Sequence, residues 1–208
     1  MKASVRVRTI GLFLVLGAGI SPAWAVGAPA VYKIDPSRSN LHGSIHYTVL
    51  GKYEAQFQEF GGTISFDPKD LPNSSVQLSI KVASLKSRFA RLDRAVISKR
   101  LLDARQYPWI TFTGRSITRV GDHFQITGEV SLHGIKRELT FPFQLQGPWK
   151  DQKGNALLTA QGTWIIRRKD FQVIWNKLLD QGGVIVGDHV TVDWKVTAVR
   201  RADPGSDR

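Results

Sequence analysis

The chain contains no cysteine. It therefore gains no disulfide staple in an oxidising compartment, and thiol catalysis and cysteine-ligated metal sites are excluded. Acids are scarce beside bases, 17 Asp and Glu against 29 Lys and Arg, for a formal net charge of +12. Long apolar runs are missing after residues 9–20, and that stretch falls short of the ~20 residues a membrane-spanning helix needs. Neither a Gly-x-Ser-x-Gly elbow, a Walker loop nor a dinucleotide fingerprint is present. The residues assemble no catalytic set.

What is present begins with an address. Lys2, Arg6 and Arg8 precede the apolar stretch TIGLFLVLGAGI, which ends in Ser21-Pro22 and the small-x-small triplet Ala23-Trp24-Ala25. This is the order of a cleavable signal peptide over residues 1–25. Export to the periplasm and release as a soluble domain are the expectations. Losing those three cations from +12 leaves +9 on the 183 residues that follow. Residues 26–200 read as one domain, and 201–208, polar with Pro and Gly, as a loose tail.

Period-2 alternation dominates the domain. Val76, Leu78, Ile80 and Val82 alternate with polar residues, as do Phe124 and Ile126, then Leu139, Phe141, Phe143 and Leu145, then Val190, Val192, Trp194 and Val196. About eight strands result: 31–35 running on to 40–50, 53–60, 62–67, 75–84, 109–119, 122–132, 136–147, 156–166 and 184–199, some of them merging. Strands with one apolar face belong to antiparallel sheets. One helical segment interrupts them at about 87–105, where Phe89, Leu92, Val96 and Leu101 fall near helical spacing and Pro108 ends it. A short helical turn is expected at Arg168–Phe171. With one helix and no partner helices, the strands must bury their apolar faces on themselves, as a closed barrel or a sandwich. Inward candidates include Trp109, Phe112, Phe124, Phe141, Phe143, Trp164, Trp175 and Trp194. An eight-stranded barrel is wide enough to be filled by such rings or to hold one ligand, and periodicity alone leaves both open.

Several segments carry a resemblance. They are Tyr32-Lys33-Ile34-Asp35-Pro36 with Ser39, Phe57-x-x-Phe60-Gly61-Gly62-Thr63-Ile64-x-Phe66-Asp67-Pro68, Asp93, and Tyr107-Pro108-x-Ile110-Thr111-Phe112. Further along come Gly128-Glu129-Val130-Ser131-Leu132-His133-Gly134, Arg168-x-Asp170-Phe171, and Gly183-Val184-Ile185-Val186-Gly187-Asp188-x-Val190. In order and spacing the chain resembles the YceI-like family of periplasmic polyisoprenoid-binding proteins. The resemblance implies an all-β, eight-stranded antiparallel lipocalin-like barrel whose apolar interior holds a long isoprenoid chain of polyprenyl or quinone type. It makes Trp109, Phe112, Phe124, Ile126, Phe141, Phe143, Trp164, Trp175, Val192 and Trp194 candidate ligand-binding residues. No cofactor and no catalysis are implied; the protein would sequester or transport its lipid. Arg38, Tyr47 and Ala95 stand where the family usually has histidine, and Arg100 where it has an acid, so the head-group contacts are expected to differ and to suit an anion.

Other readings remain open beside this one: a small hydrolase or isomerase acting on a lipid in the same cavity, a stress-linked scaffold with a filled core, and pairing into a homodimer. His42 and His46 lie four residues apart, which on a strand is ~13 Å, too far to share a metal ion. Asp170 is expected to cap its turn, and Asp93 to pair with a neighbouring arginine. Residues 86–105 carry Lys86, Arg88, Arg91, Arg94, Lys99, Arg100 and Arg105 against Asp93 and Asp103. This run reads either as a solvated face or as a contact with anionic lipid head groups or an anionic membrane surface through Arg91, Arg94 and Arg100. Nucleic acid is not expected as a partner of an exported chain.

Overall fold

The computed structural model describes residues 29–47, 51–174 and 186–201. The signal segment, Trp175 and residues 202–208 of the tail lie outside the described residues.

Among the described residues, eleven strands form one antiparallel sheet: β1 (Ala30–Ile34), β2 (Asn40–Tyr47), β3 (Gly51–Phe57), β4 (Phe60–Phe66), β5 (Ser75–Lys81), β6 (Leu85–Lys86), β7 (Trp109–Val120), β8 (His123–Leu132), β9 (Ile135–Lys150), β10 (Ala156–Arg167) and β11 (Val186–Arg200). Three pairs of them are single long strands with a break. β1 and β2 lie end to end on the same edge of β11, with Lys33 opposite Val199 and Asn40 opposite Lys195. Asp35-Pro36 makes the break, because the Asp35 carboxylate accepts from the Ser37 N–H and hydroxyl and holds a tight turn. β3 and β4, then β5 and β6, repeat the arrangement. The result is eight strands, closed where β1 meets β11. Closure leaves most backbone donors and acceptors paired, which suits a domain without disulfides.

The alternation seen in the sequence is the inside–outside alternation of this barrel. Even-numbered residues of β8 through Leu132 face inward, as do Phe141 and Phe143 of β9 and Trp194 and Val196 of β11. β8 and β9 are joined by a two-residue turn at His133–Gly134, both with positive φ (53° and 75°), the geometry that matches the twist of paired strands. The expected helical turn is found at Arg168–Phe171. The helical segment is shorter than the 87–105 span expected. α1 covers Ala90–Val96, and tight turns continue to Tyr107. Ser98 explains the difference: its hydroxyl folds back onto the Ala95 carbonyl, and the Leu101, Leu102 and Asp103 amides turn back rather than extending the helix. Among the described residues no helix is long and apolar enough to cross a membrane.

One stretch of wall is not sheet. β5 pairs with β7 as far as Lys81 and Trp109, after which β6 pairs only with β3. Residues 87–108 fill the interval as a flap in which the backbone N–H groups of Leu92, Asp93, Ile97, Ser98, Leu101, Leu102, Asp103, Ala104, Gln106 and Tyr107 bond to carbonyls of the flap itself.

Candidate binding cavity

The barrel interior has a floor and a chamber. Phe141 stacks on Trp164 at 3.9 Å between ring centroids, Phe112 packs beside them at 5.4 Å from Trp164, and Trp194 lies 5.1 Å from Trp164 on the other side. Beneath them Phe143, Phe124, Ile126 and Ile117 complete a solid plug. Three inward-facing glycines make room for these rings. A Cβ on Gly114 would meet Ile126 at 2.4 Å, one on Gly128 would meet Phe112 at 2.7 Å, and one on Gly162 would meet Trp194 at 3.1 Å. Gly114 and Gly128 face each other across β7 and β8, so one double vacancy seats the Phe112 ring. The Trp164 and Trp194 indole N–H groups are buried without a hydrogen-bond partner among the described residues. Such a group costs about 1–3 kcal/mol, so it is packing that holds the plug together.

Above the floor the side chains become aliphatic and no longer meet. A cavity of about 330 Å³ opens there. Its wall is built by Leu41 and Ile45 of β2, Leu78 and Ile80 of β5, Val130 and Leu132 of β8, and Val190 and Val192 of β11. β3 adds Ala55 and Phe57, and the flap contributes Leu92, Ala95, Val96, Leu101 and Leu102. Phe112 and Trp164 form its base.

Among the described residues two ionisable side chains reach this lining, and both are committed. The Tyr53 hydroxyl of β3 donates to Asp93 Oδ1 at 2.7 Å, while Ser87 gives Asp93 its hydroxyl at 2.5 Å and its backbone N–H at 2.9 Å. Burial opposes ionisation of Asp93, but the hydrogen bonds from Ser87 and then Tyr53 outweigh it, holding the carboxyl below its ordinary value. Burial, reinforced by the hydrogen bond to the Asp93 carboxylate, pushes the Tyr53 phenol well above the usual tyrosine range. The pair is therefore a neutral phenol on a carboxylate at neutral pH, and it ties the flap to the barrel wall. Arg168 is the second group. Its guanidinium donates to the carbonyls of Gly187 (2.9 Å), Val173 (2.7 Å) and Val186 (3.2 Å) and to Asp188 Oδ1 (3.1 Å). Lys169 holds Asp188 from the other side at 2.6 Å and keeps its carboxyl below the ordinary value. Arg168 thus fastens the Arg168–Phe171 turn to the start of β11.

The residues picked from the sequence separate by depth. Phe112, Trp164 and Val192 line the cavity. Phe124, Ile126, Phe141, Phe143 and Trp194 belong to the plug below it, because the rings pack against one another and against glycine gaps instead of ringing a tunnel. Trp109 is corrected outright: it is 51% exposed on the outer wall. It stands three residues from Phe112, and two strand residues at odd spacing cannot share a face. Arg91, Arg94 and Arg100 are exposed on the flap. Asp93 does not pair with an arginine as expected, since Ser87 and Tyr53 saturate it. Ala95 lines the cavity, where the resemblance placed a histidine. Among the described residues no three histidine or acidic side chains gather to hold a metal ion. The aliphatic wall and the glycine seats were not anticipated. Gly114, Gly128 and Gly162 within otherwise regular strands were the available signal, since glycine inside a strand marks close approach of bulk from across the barrel.

The model of the YceI-like domain matches residues 32–198. The protein YceI of Escherichia coli O157:H7 is 30% identical over 148 residues, 69% of this chain and 76% of its own length. Among solved structures, BcnA of Burkholderia cenocepacia superposes with a TM-score of 0.70 at 25% identity, over 79% of this chain and 99% of that one. A polyisoprenoid-binding domain from Saccharophagus degradans, implicated in plant cell wall breakdown, shares the fold with a TM-score of 0.62 at 16% identity, over 80% of this chain and 97% of that one.

Proposed function

Because the chain belongs to the YceI-like family, we propose that its barrel is a non-catalytic carrier or sequestering protein for a long-chain isoprenoid lipid in the periplasm. One observation carries this reading: an apolar cavity closed below by an aromatic floor, whose two ionisable lining groups are already bound to the protein. Polyisoprenoid binding by the Saccharophagus degradans domain supports the choice of ligand. Burying such a chain is favourable by ~0.8 kcal/mol per methylene, and a preformed apolar site needs few polar contacts to hold it. The volume lies at the low end for ligand sites, so it encloses a segment of a long chain rather than its whole length. Turnover is not part of the reading, because neither Tyr53 nor Arg168 is left free to exchange a proton with a ligand. The N-terminal signal pattern supports export with cleavage after Ala25.

The test is to express the full chain, recover it from the periplasmic fraction, and analyse an organic extract by mass spectrometry. An isoprenoid lipid in stoichiometric amount is expected, on a protein whose N-terminus begins at Val26. Protein that is repeatedly empty, and that fails to take up prenyl lipids offered in detergent, would sink the carrier reading.

A further inference from the structure

The flap that walls the cavity has two chemically opposite faces. Its inner face is Leu92, Ala95, Val96, Leu101 and Leu102. Its two acids also turn inward: Asp93 is 8% and Asp103 7% exposed, the first held by Ser87 and Tyr53, the second receiving the Gln106 N–H. All seven cations between Lys86 and Arg105 are exposed, and none forms an ion pair with another described residue. Glu54 of β3 and Glu59 in the β3–β4 break are themselves occupied, by Lys52 at 2.6 Å and by Lys81 at 2.8 Å. Burying both acids converts a segment of mixed charge into a surface of one sign. Phe89 stands exposed among these cations, with the Arg88 guanidinium 4.8 Å above its ring.

We propose that the outer face of residues 86–105 is a docking surface for an anionic phospholipid bilayer, which brings the cavity to within one flap thickness of the membrane. The inference rests on the carrier reading for its purpose and on charge complementarity for its partner. Unpaired, exposed guanidinium and ammonium groups gain from a surface of negative head groups, each contributing at close range. Phe89 adds an amphipathic contact of the kind favoured at the interface. Docked in this way, the protein presents its apolar chamber to the source of an apolar ligand, with only the flap, of order ~10 Å thick, between them.

The experiment is co-sedimentation of the full-length protein after export with vesicles of phosphatidylcholine alone or of phosphatidylcholine mixed with phosphatidylglycerol. Binding to the mixed vesicles only is expected, weakening as salt shortens the screening length from ~10 Å at 0.1 M to ~3 Å at 1 M. The triple variant Arg91→Glu, Arg94→Glu, Arg100→Glu should lose on the order of a hundredfold in affinity. A control triple, Lys69→Glu, Lys150→Glu, Lys153→Glu, changes net charge equally at exposed positions of the opposite end and should keep wild-type binding. Uptake of the neutral fluorophore N-phenyl-1-naphthylamine without vesicles checks that both variants keep a folded barrel and an accessible cavity. Equal loss in both triples, unchanged binding in the flap triple, or binding to DNA and acidic polypeptides without binding to vesicles would each overturn the proposal. An empty organic extract beside intact vesicle binding would fail the carrier reading alone; a loaded extract without vesicle binding would fail this one alone.

Discussion

The lower and upper halves of the barrel are built from the same eight strands but filled by opposite rules. In the lower half, rings of Phe112, Phe141, Trp164, Trp194, Phe143 and Phe124 interdigitate, and three glycines give up their side chains to seat them. In the upper half, the inward side chains are mostly Val, Ile, Leu and Ala, too short to reach one another across the barrel, with Tyr53 and Arg168 tied to the wall, which itself changes from strand to flap. An eight-stranded barrel sits at the width where side-chain size decides between a core and a chamber. The plug carries the stability of a protein without disulfides, which leaves the chamber free to stay unfilled.

The comparison breaks first in the plug. Phe141→Ala should destabilise the protein by about 3–5 kcal/mol, read as a lowered urea midpoint, because it removes the ring stacked on Trp164 and leaves a void among rigid neighbours. A loss below about 1 kcal/mol would show that the plug is loosely packed. Next in size is the tie between flap and wall. Tyr53→Phe should cost about 2 kcal/mol, since it removes a hydrogen bond to a carboxylate. The sign of its pH dependence follows from the shifts. Asp93 is held below its unfolded value, so its contribution is present above about pH 4 and is lost as pH falls through the lowered value. Tyr53 is held above about 10, so its contribution persists until pH rises through the raised value. Acid unfolding of Tyr53→Phe should therefore begin at a higher pH than in the wild type, followed by circular dichroism.

In the chamber the expected effect is on binding rather than stability. Ala95→Phe projects a ring from α1 into the cavity and should weaken uptake of an apolar fluorophore at least tenfold, equivalent to about 1.4 kcal/mol, with an unchanged or slightly raised melting temperature. Unaltered uptake would place the ligand elsewhere. The smallest effect is expected on the outer wall: Trp109→Ala should change stability by no more than about 0.5 kcal/mol and leave uptake intact.

Strand positions and the barrel were legible because a period of two in apolar residues has one physical meaning, a wall with a dry and a wet face. The positions of Phe112, Trp164 and Val192 facing inward followed from that parity, and the same parity, applied at residues 109 and 112, would have turned Trp109 outward. Depth along the barrel was not legible. Phe141 and Val192 both read as inward, yet one lies in the plug and the other on the cavity wall. Which level a residue occupies depends on strand register, and register is set by pairing between segments far apart in the chain.

The sequence by itself determined that this is a cysteine-free, strand-dominated domain with the order of YceI-like motifs and a strongly basic segment before β7. Local alternation, turn residues and composition suffice for that, since each acts through neighbours in the chain. Only the tertiary structure decided that Gly114 and Gly128 would meet across two strands to seat a ring, so that the aromatics form a floor and the cavity falls to the aliphatics. It also decided that Asp93 would be drawn inward by Tyr53, forty residues away, leaving the charges on the flap's outer face of one sign. Both outcomes depend on contacts between distant segments, which exist only once the barrel has closed.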